Sequence, residues 1–83
     1  MERASQILTT EDMKAASEVA AYRQASLGGV QVREVTVVSD PVLVRDGLWL
    51  VNVLVVMADG TERVFRCDAT ERDVFAIREV SNT

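Results

Sequence analysis

The sequence predicts an α+β fold, one N-terminal helix packed on a 3-4 stranded antiparallel β-meander. Three observations predict it. A run of helix formers free of glycine and proline extends from Glu11 to Ser26. Valine-rich stretches with period-two alternation follow from Val30 onward. Two Asp-Gly pairs, Asp46-Gly47 and Asp59-Gly60, separate those stretches as tight hairpin turns do.

The chain has 83 residues, within the size of one domain. The organisation expected is a lead-in over 1–9, one α+β domain over 10–80 and a tail over 81–83. Apolar residues make up 48% of the chain, enough for one core and too many for general disorder. A domain this small buries only about 60% of the surface its unfolded chain exposes, so its stability margin is thin.

In the lead-in, Ile7 and Leu8 offer a small apolar anchor. Thr9 or Thr10 then supplies an N-cap hydroxyl, and Glu11 and Asp12 place negative charge against the positive end of the helix dipole. Gly28-Gly29 stops the helix, because glycine adopts left-handed backbone at little cost. The apolar stripe expected to face the sheet is Ala15, Ala16, Val19, Ala20, Tyr22 and Leu27. Its side chains are mostly small, so the helix approaches closely but covers little.

Val30 and Val32 alternate in one phase and Val35 and Val37 in the other, which predicts a bulge or bend at Arg33-Glu34. Asp40-Pro41 interrupts the ladder, since proline has no N–H to donate, and predicts an edge or a kink. Val42-Leu43-Val44 leads into the first Asp-Gly turn, Leu48–Met57 is the strongest strand, and Glu62–Ala69 follows the second turn. Two readings of the tail stand side by side. Thr70-Glu71-Arg72-Asp73 resembles a capping box that opens a short helix, whereas Val74–Val80 is rich in strand formers. A final strand is preferred.

With Ala58 placed opposite Thr61, one face of the hairpin collects Leu50, Asn52, Leu54, Val56, Phe65, Cys67 and Ala69. The other collects Trp49, Val51, Val53, Val55, Met57 and Val64, with Glu62, Arg66 and Asp68 beside them. A sheet with one wet face shows a polar stripe along its central strand, and Leu48–Met57 lacks one. Four strands span about 19 Å and one helix about 10–12 Å, so a single helix leaves apolar surface uncovered. A second copy, another protein or the lead-in is expected to cover it. Charged stems such as Arg66 also shield apolar neighbours, and small monomers do expose scattered apolar residues. The partner-binding residues expected are Trp49, Val51, Val53, Val55, Met57 and Arg66, with Trp49 as anchor or, equally, as a packing residue beside the Asp46-Gly47 turn.

Composition narrows the function classes. Net charge is −4 and the nine basic residues are dispersed, which argues against nucleic acid. The longest apolar run is too short for a membrane-spanning helix. Cys67 is the sole cysteine, so no internal disulfide forms, and a reducing, cytoplasmic compartment is expected. Met1–Gln6 lacks the basic and apolar regions of a signal peptide. Histidine is absent, which removes the commonest general base and metal ligand. Cys67 reads as a small buried hydrophobe, and Asp68, Glu71 and Asp73 lack the oxygen spacing of a calcium loop. Gly28-Gly29 precedes a strand, the wrong order for a phosphate loop. No enzymatic activity, metal or cofactor is expected.

Thr10–Ala25, Met57-Ala58-Asp59-Gly60-Thr61 and Asp68-Ala69-Thr70-Glu71-Arg72-Asp73-Val74-Phe75 together resemble the PepSY-type module of peptidase propeptides and small regulatory proteins. Arg72 stands where that hairpin usually carries glycine. Members are typically exported. The resemblance implies an inhibitory or regulatory role through protein binding and no catalytic residue. In size and style, with Asp46-Gly47-Leu48-Trp49-Leu50 ahead of the second Asp-Gly hairpin, the chain is also similar to small acidic phage inhibitors of host defence such as anti-CRISPR proteins. That likeness too implies action by occluding a partner. The alternative from another class is a small-molecule or ion-binding domain with a pocket near Tyr22, Asn52 and Cys67. Asn52 marks it, because a polar group within an apolar strand needs a hydrogen-bond partner.

Overall fold

A computed structural model describes residues 8–80. Helix α1 spans Thr10–Ala25 and ends in a single 3-10 turn at Leu27–Gly29. Five strands follow: β1 (Val32–Val37), β2 (Val42–Arg45), β3 (Leu48–Met57), β4 (Glu62–Ala69) and β5 (Val74–Val80). All strand pairings are antiparallel. The architecture is one helix on one sheet, an α+β fold, as the alternation from helix-forming to valine-rich sequence predicts. Residues 1–7 of the expected lead-in, Ile7 included, and the expected tail 81–83 lie outside the described residues.

The helix starts where its cap is built. The Thr9 hydroxyl accepts from the Asp12 N–H at 3.1 Å, and the Asp12 carboxylate accepts from the Thr9 N–H at 3.0 Å. This reciprocal box satisfies two donors that the first turn leaves free. At the other end Gly28 sits at φ +80°, left-handed backbone that a residue with a Cβ resists.

β1 and β2 lie end to end along the same side of β3. Val32–Val37 pairs with the Val53–Met57 half and Val42–Arg45 with the Leu48–Leu50 end. Between them the Val38 N–H still donates to the Asn52 carbonyl at 3.1 Å, and Pro41 then ends the ladder. Five strands therefore occupy four positions across the sheet, one strand more than the meander of three or four expected from sequence. The predicted bulge is present, since the β1–β3 register shifts between Val32 and Glu34.

The β3–β4 turn corrects the expected register. The Met57 N–H donates to the Thr61 carbonyl at 2.8 Å and the Gly60 N–H to the Met57 carbonyl at 2.9 Å. Met57, not Ala58, stands opposite Thr61, so the loop has three residues, Ala58, Asp59 and Gly60, with Gly60 left-handed at φ +91°. The Asp59 carboxylate holds it by accepting from the Thr61 N–H at 2.9 Å. A slip of one residue exchanges the faces of a strand. Phe65, Cys67 and Ala69 accordingly align with Val53, Val51 and Trp49. Leu50, Leu54 and Val56 lie on the other side with Val64, Arg66 and Asp68.

Residues 74–80 form a strand, β5, and the Thr70 hydroxyl caps a turn rather than a helix. It accepts from the N–H groups of Arg72 and Asp73 at 3.2 and 3.3 Å, while the Thr70 N–H donates to the Asp73 carbonyl at 2.8 Å. The β4–β5 register shifts between Arg66 and Asp68, and Ala76 opposite this shift adopts φ +53°. That is a bulge on an edge strand.

The core lies between α1 and one face of the sheet. Met13, Ser17, Ala21 and Ala25 form a straight line of i, i+4 positions along the helix and are buried against Val51, Val53, Val55, Met57, Phe65, Cys67 and Ala69. This corrects the expected stripe: Val19 and Tyr22 are each 50% exposed and Leu27 64% exposed. Apolar residues are spread around an alanine-rich helix, so their count does not select the buried side. Small side chains along one line let the backbones approach closely, and Met13 fills the end of that line. Burying Phe65 fully stabilises the fold by about 1.5–3 kcal/mol. Lys14 ties the helix to the β1–β2 break through an ion pair to Asp40 at 2.8 Å. Arg63 grips Glu79 with two hydrogen bonds of 2.9 and 2.7 Å and lies over the Phe65 ring.

Candidate protein-binding face

Five of the six residues expected to bind a partner lie under the helix. Val51, Val53 and Val55 are fully buried, Met57 nearly so, and Trp49 packs half-buried at the edge of the same core. Their placement on an open face is corrected by the register of the β3–β4 turn. Arg66 alone of the six is on the face away from α1.

The open face takes the opposite phase of every strand. Leu48, Leu50, Asn52, Leu54 and Val56 run along β3. Beside them Glu62, Val64, Arg66 and Asp68 project from β4, and Phe75, Arg78 and Val80 from β5. Glu34 and Thr36 on β1, and Val42 and Arg45 on β2, complete the other margin. The molecule is 17 Å across in its thinnest dimension, the depth of one helix on one sheet. The described residues place no second layer over this face. Leu50, Leu54 and Val64 are half-buried by strand neighbours alone, and Val42 and Phe75 are 53% and 46% exposed.

A polar cluster sits within this apolar ground. Arg66 stands opposite Asn52 on β3 and Arg78 on β5, and Asp68 is the next residue of β4 on the same side. The Arg66 Nε and an Asp68 carboxylate oxygen are shielded from solvent and have no hydrogen-bond partner among the described residues. Burying such groups unpaired is unfavourable, so the arrangement is incomplete as it stands.

No family model, curated protein or solved structure matched this chain.

The residues of the expected pocket are not brought together. Asn52 belongs to the open face, Cys67 to the buried face and Tyr22 to the outer side of the helix. Cys67 is fully buried and its thiol donates weakly to the Ser17 carbonyl at 3.9 Å. Desolvation pushes the thiol pKa up, the opposite of what a nucleophile needs. A depression of 340 Å³ lies between Val30-Gln31, the β3–β4 turn and Arg63, but it is open to solvent and its one cation is already engaged by Glu79. Among the described residues no three potential metal ligands converge, and no helix is long and apolar enough to cross a membrane.

Once the register is known, one sequence signal marks the face. Asn52 is the one polar residue inside β3, and only the register that sets it beside Arg66 groups the polar positions of both strands. That register also aligns Phe65 and Cys67 with the valines of the core.

Proposed function

We propose that this chain is a non-catalytic protein-binding module, a small inhibitor or regulator, that engages its partner through the open sheet face around Leu50, Leu54, Val64 and Arg66. One observation carries the reading: the central strands are apolar on both sides, and α1 covers only one of them. An apolar surface of this kind, rimmed by charges, is the usual character of an interaction site. The polar cluster of Asn52, Arg66, Asp68 and Arg78 at its centre adds directional groups to that apolar ground. An inhibitory or regulatory role through protein binding is also what the PepSY-type and phage-inhibitor likenesses imply. The absence of histidine and the buried, weakly acidic Cys67 thiol support a role without catalysis.

The test compares proteins captured from the source cells by the wild type, by Leu54→Glu and by Val19→Glu, with circular dichroism checking each fold. Leu54 lies on the open face and Val19 on the outer side of the helix. A partner retained by the wild type and by Val19→Glu but lost by Leu54→Glu is expected. Identical capture by all three variants would falsify the assignment of binding to this face.

A further inference from the structure

We infer that Asp46-Gly47 is a site of spontaneous covalent modification, where aspartate isomerises through a cyclic imide, and that the fold withholds the same chemistry from Asp59-Gly60. This chemistry is independent of what the open face binds. Closing the imide needs an aspartyl side chain and an unhindered N–H on the next residue. Of the six aspartates, Asp12, Asp68 and Asp73 precede residues whose side chains crowd the attacking nitrogen, and Asp40 precedes Pro41, which has no N–H. Only the two Asp-Gly pairs remain.

Both pairs are exposed, and hydrogen bonding separates them. In the β3–β4 loop both reacting groups are held. The Gly60 N–H donates to the Met57 carbonyl at 2.9 Å, and the Asp59 carboxylate accepts from the Thr61 N–H at 2.9 Å. The bond from Thr61 also keeps the Asp59 carboxyl below its ordinary pKa, which depletes the neutral acid that must lose its hydroxyl. In the β2–β3 turn Arg45 pairs with Leu48, and among the described residues neither the Gly47 N–H nor the Asp46 carboxylate has a hydrogen-bond partner. The flanking strands differ too. β3 and β4 stay paired from Trp49 and Ala69 to Val56 and Glu62. β2 pairs with β3 alone, and all of Val42–Arg45 is exposed. A short strand held on one side opens locally at little cost, which lets the Asp46 side chain swing onto the Gly47 nitrogen.

The Gly47 nitrogen gives up its proton and bonds to the side-chain carboxyl carbon of Asp46. A C–O bond breaks, one water leaves and a five-membered imide closes. Water then adds to either imide carbonyl and breaks its bond to nitrogen. Opening on one side restores aspartate. Opening on the other routes the main chain through the former side chain, one carbon longer, and leaves a free α-carboxylate. A two-residue loop has no slack for that carbon, so the Arg45–Leu48 pairing is lost and β2 comes away from β3. Leu43 then no longer lies beside Trp49, the single tryptophan of the chain.

The test keeps the full chain at neutral pH and physiological temperature for several weeks, then unfolds it and digests it beside fresh protein. The endoproteinase chosen cuts before aspartate and not before isoaspartate. Isomerisation at Asp46 fuses two fragments into one spanning 40–58, and isomerisation at Asp59 gives one spanning 46–67. The 40–58 fragment is expected to accumulate about tenfold faster, the ratio set by the two hydrogen bonds that must break at Asp59-Gly60. In guanidinium chloride the two fragments are expected to accumulate at similar rates. Trp49 emission of the folded chain is expected to move to the red in step with the 40–58 fragment. An Asp46→Glu chain, which would have to close a slower six-membered ring, is expected to keep the emission of fresh protein. Three results would each overturn the inference: no 40–58 fragment, equal or faster growth of the 46–67 fragment in the folded chain, or the same preference in guanidinium chloride. Emission that stays put as the 40–58 fragment grows, or that shifts equally in Asp46→Glu, overturns the release of β2.

Discussion

Ser17 occupies the middle of the buried line on α1, fully enclosed, and its hydroxyl has no partner among the described residues. A buried polar group without a hydrogen bond costs about 1–3 kcal/mol. Ser17→Ala removes the oxygen and leaves almost the same shape, so it is expected to raise stability by about 1 kcal/mol. Urea unfolding measures this, and a lowered midpoint would show that the hydroxyl is bonded. Cys67 illustrates what single residues disclose in the sequence. Its identity as an inert buried thiol follows from its place in an alternating strand, in a chain with no histidine to activate it. The exposure of Val19 and Tyr22 does not follow in the same way. Nothing local distinguishes them from the alanines beside them, and the sheet decides which line of the helix is buried.

At the level of elements, punctuation was readable and register was not. The Thr9-Thr10 pair, Gly28-Gly29, Pro41 and the two Asp-Gly pairs each act through local backbone chemistry, and the boundaries they predict agree with those observed to within a residue, although the sequence leaves the cap open between Thr9 and Thr10. An Asp-Gly pair, however, closes either a two-residue loop or a three-residue loop with glycine left-handed at its end. Both occur here, since Arg45 pairs with Leu48 across the first turn while Met57 stands opposite Thr61 across the second. The second loop depends on Gly60 at φ +91°, where an added Cβ meets nothing within 4 Å. Any loss on substitution is therefore backbone strain. Gly60→Ala is expected to lower stability by about 1–2 kcal/mol, and Gly60→Asn by less, because asparagine tolerates left-handed backbone. Equal urea midpoints for Gly60→Ala and the wild type would show that the loop relaxes to another form.

For the whole molecule, the α+β class and its helix-first order were legible, whereas the identity of the open face was not. Face assignment depends on the parity of a single turn, so one residue of error exchanged core and surface across β3. The pH response belongs to this scale as well. Asp40 beside Lys14, Asp59 on the Thr61 N–H and Glu79 beside Arg63 all have carboxyl pKa values below the ordinary range. Groups depressed in the folded state stabilise it above their unfolded pKa, near 4, and that contribution is lost as pH falls through the folded value. The thermal midpoint is expected to be flat between about pH 5 and 7, where no histidine titrates, and to fall below about pH 4. Asp40→Asn with Glu79→Gln should make the acid slope shallower; an unchanged slope would assign it to other groups. The two margins of the sheet bear on a different risk. One is broken at Pro41 and the other is buckled at Ala76, so neither offers an unbroken row of backbone donors and acceptors to an incoming strand. Assembly by adding strand to strand, the route to open-ended fibres, is thus obstructed at both ends, and crowding of this protein should give finite particles that redissolve on dilution.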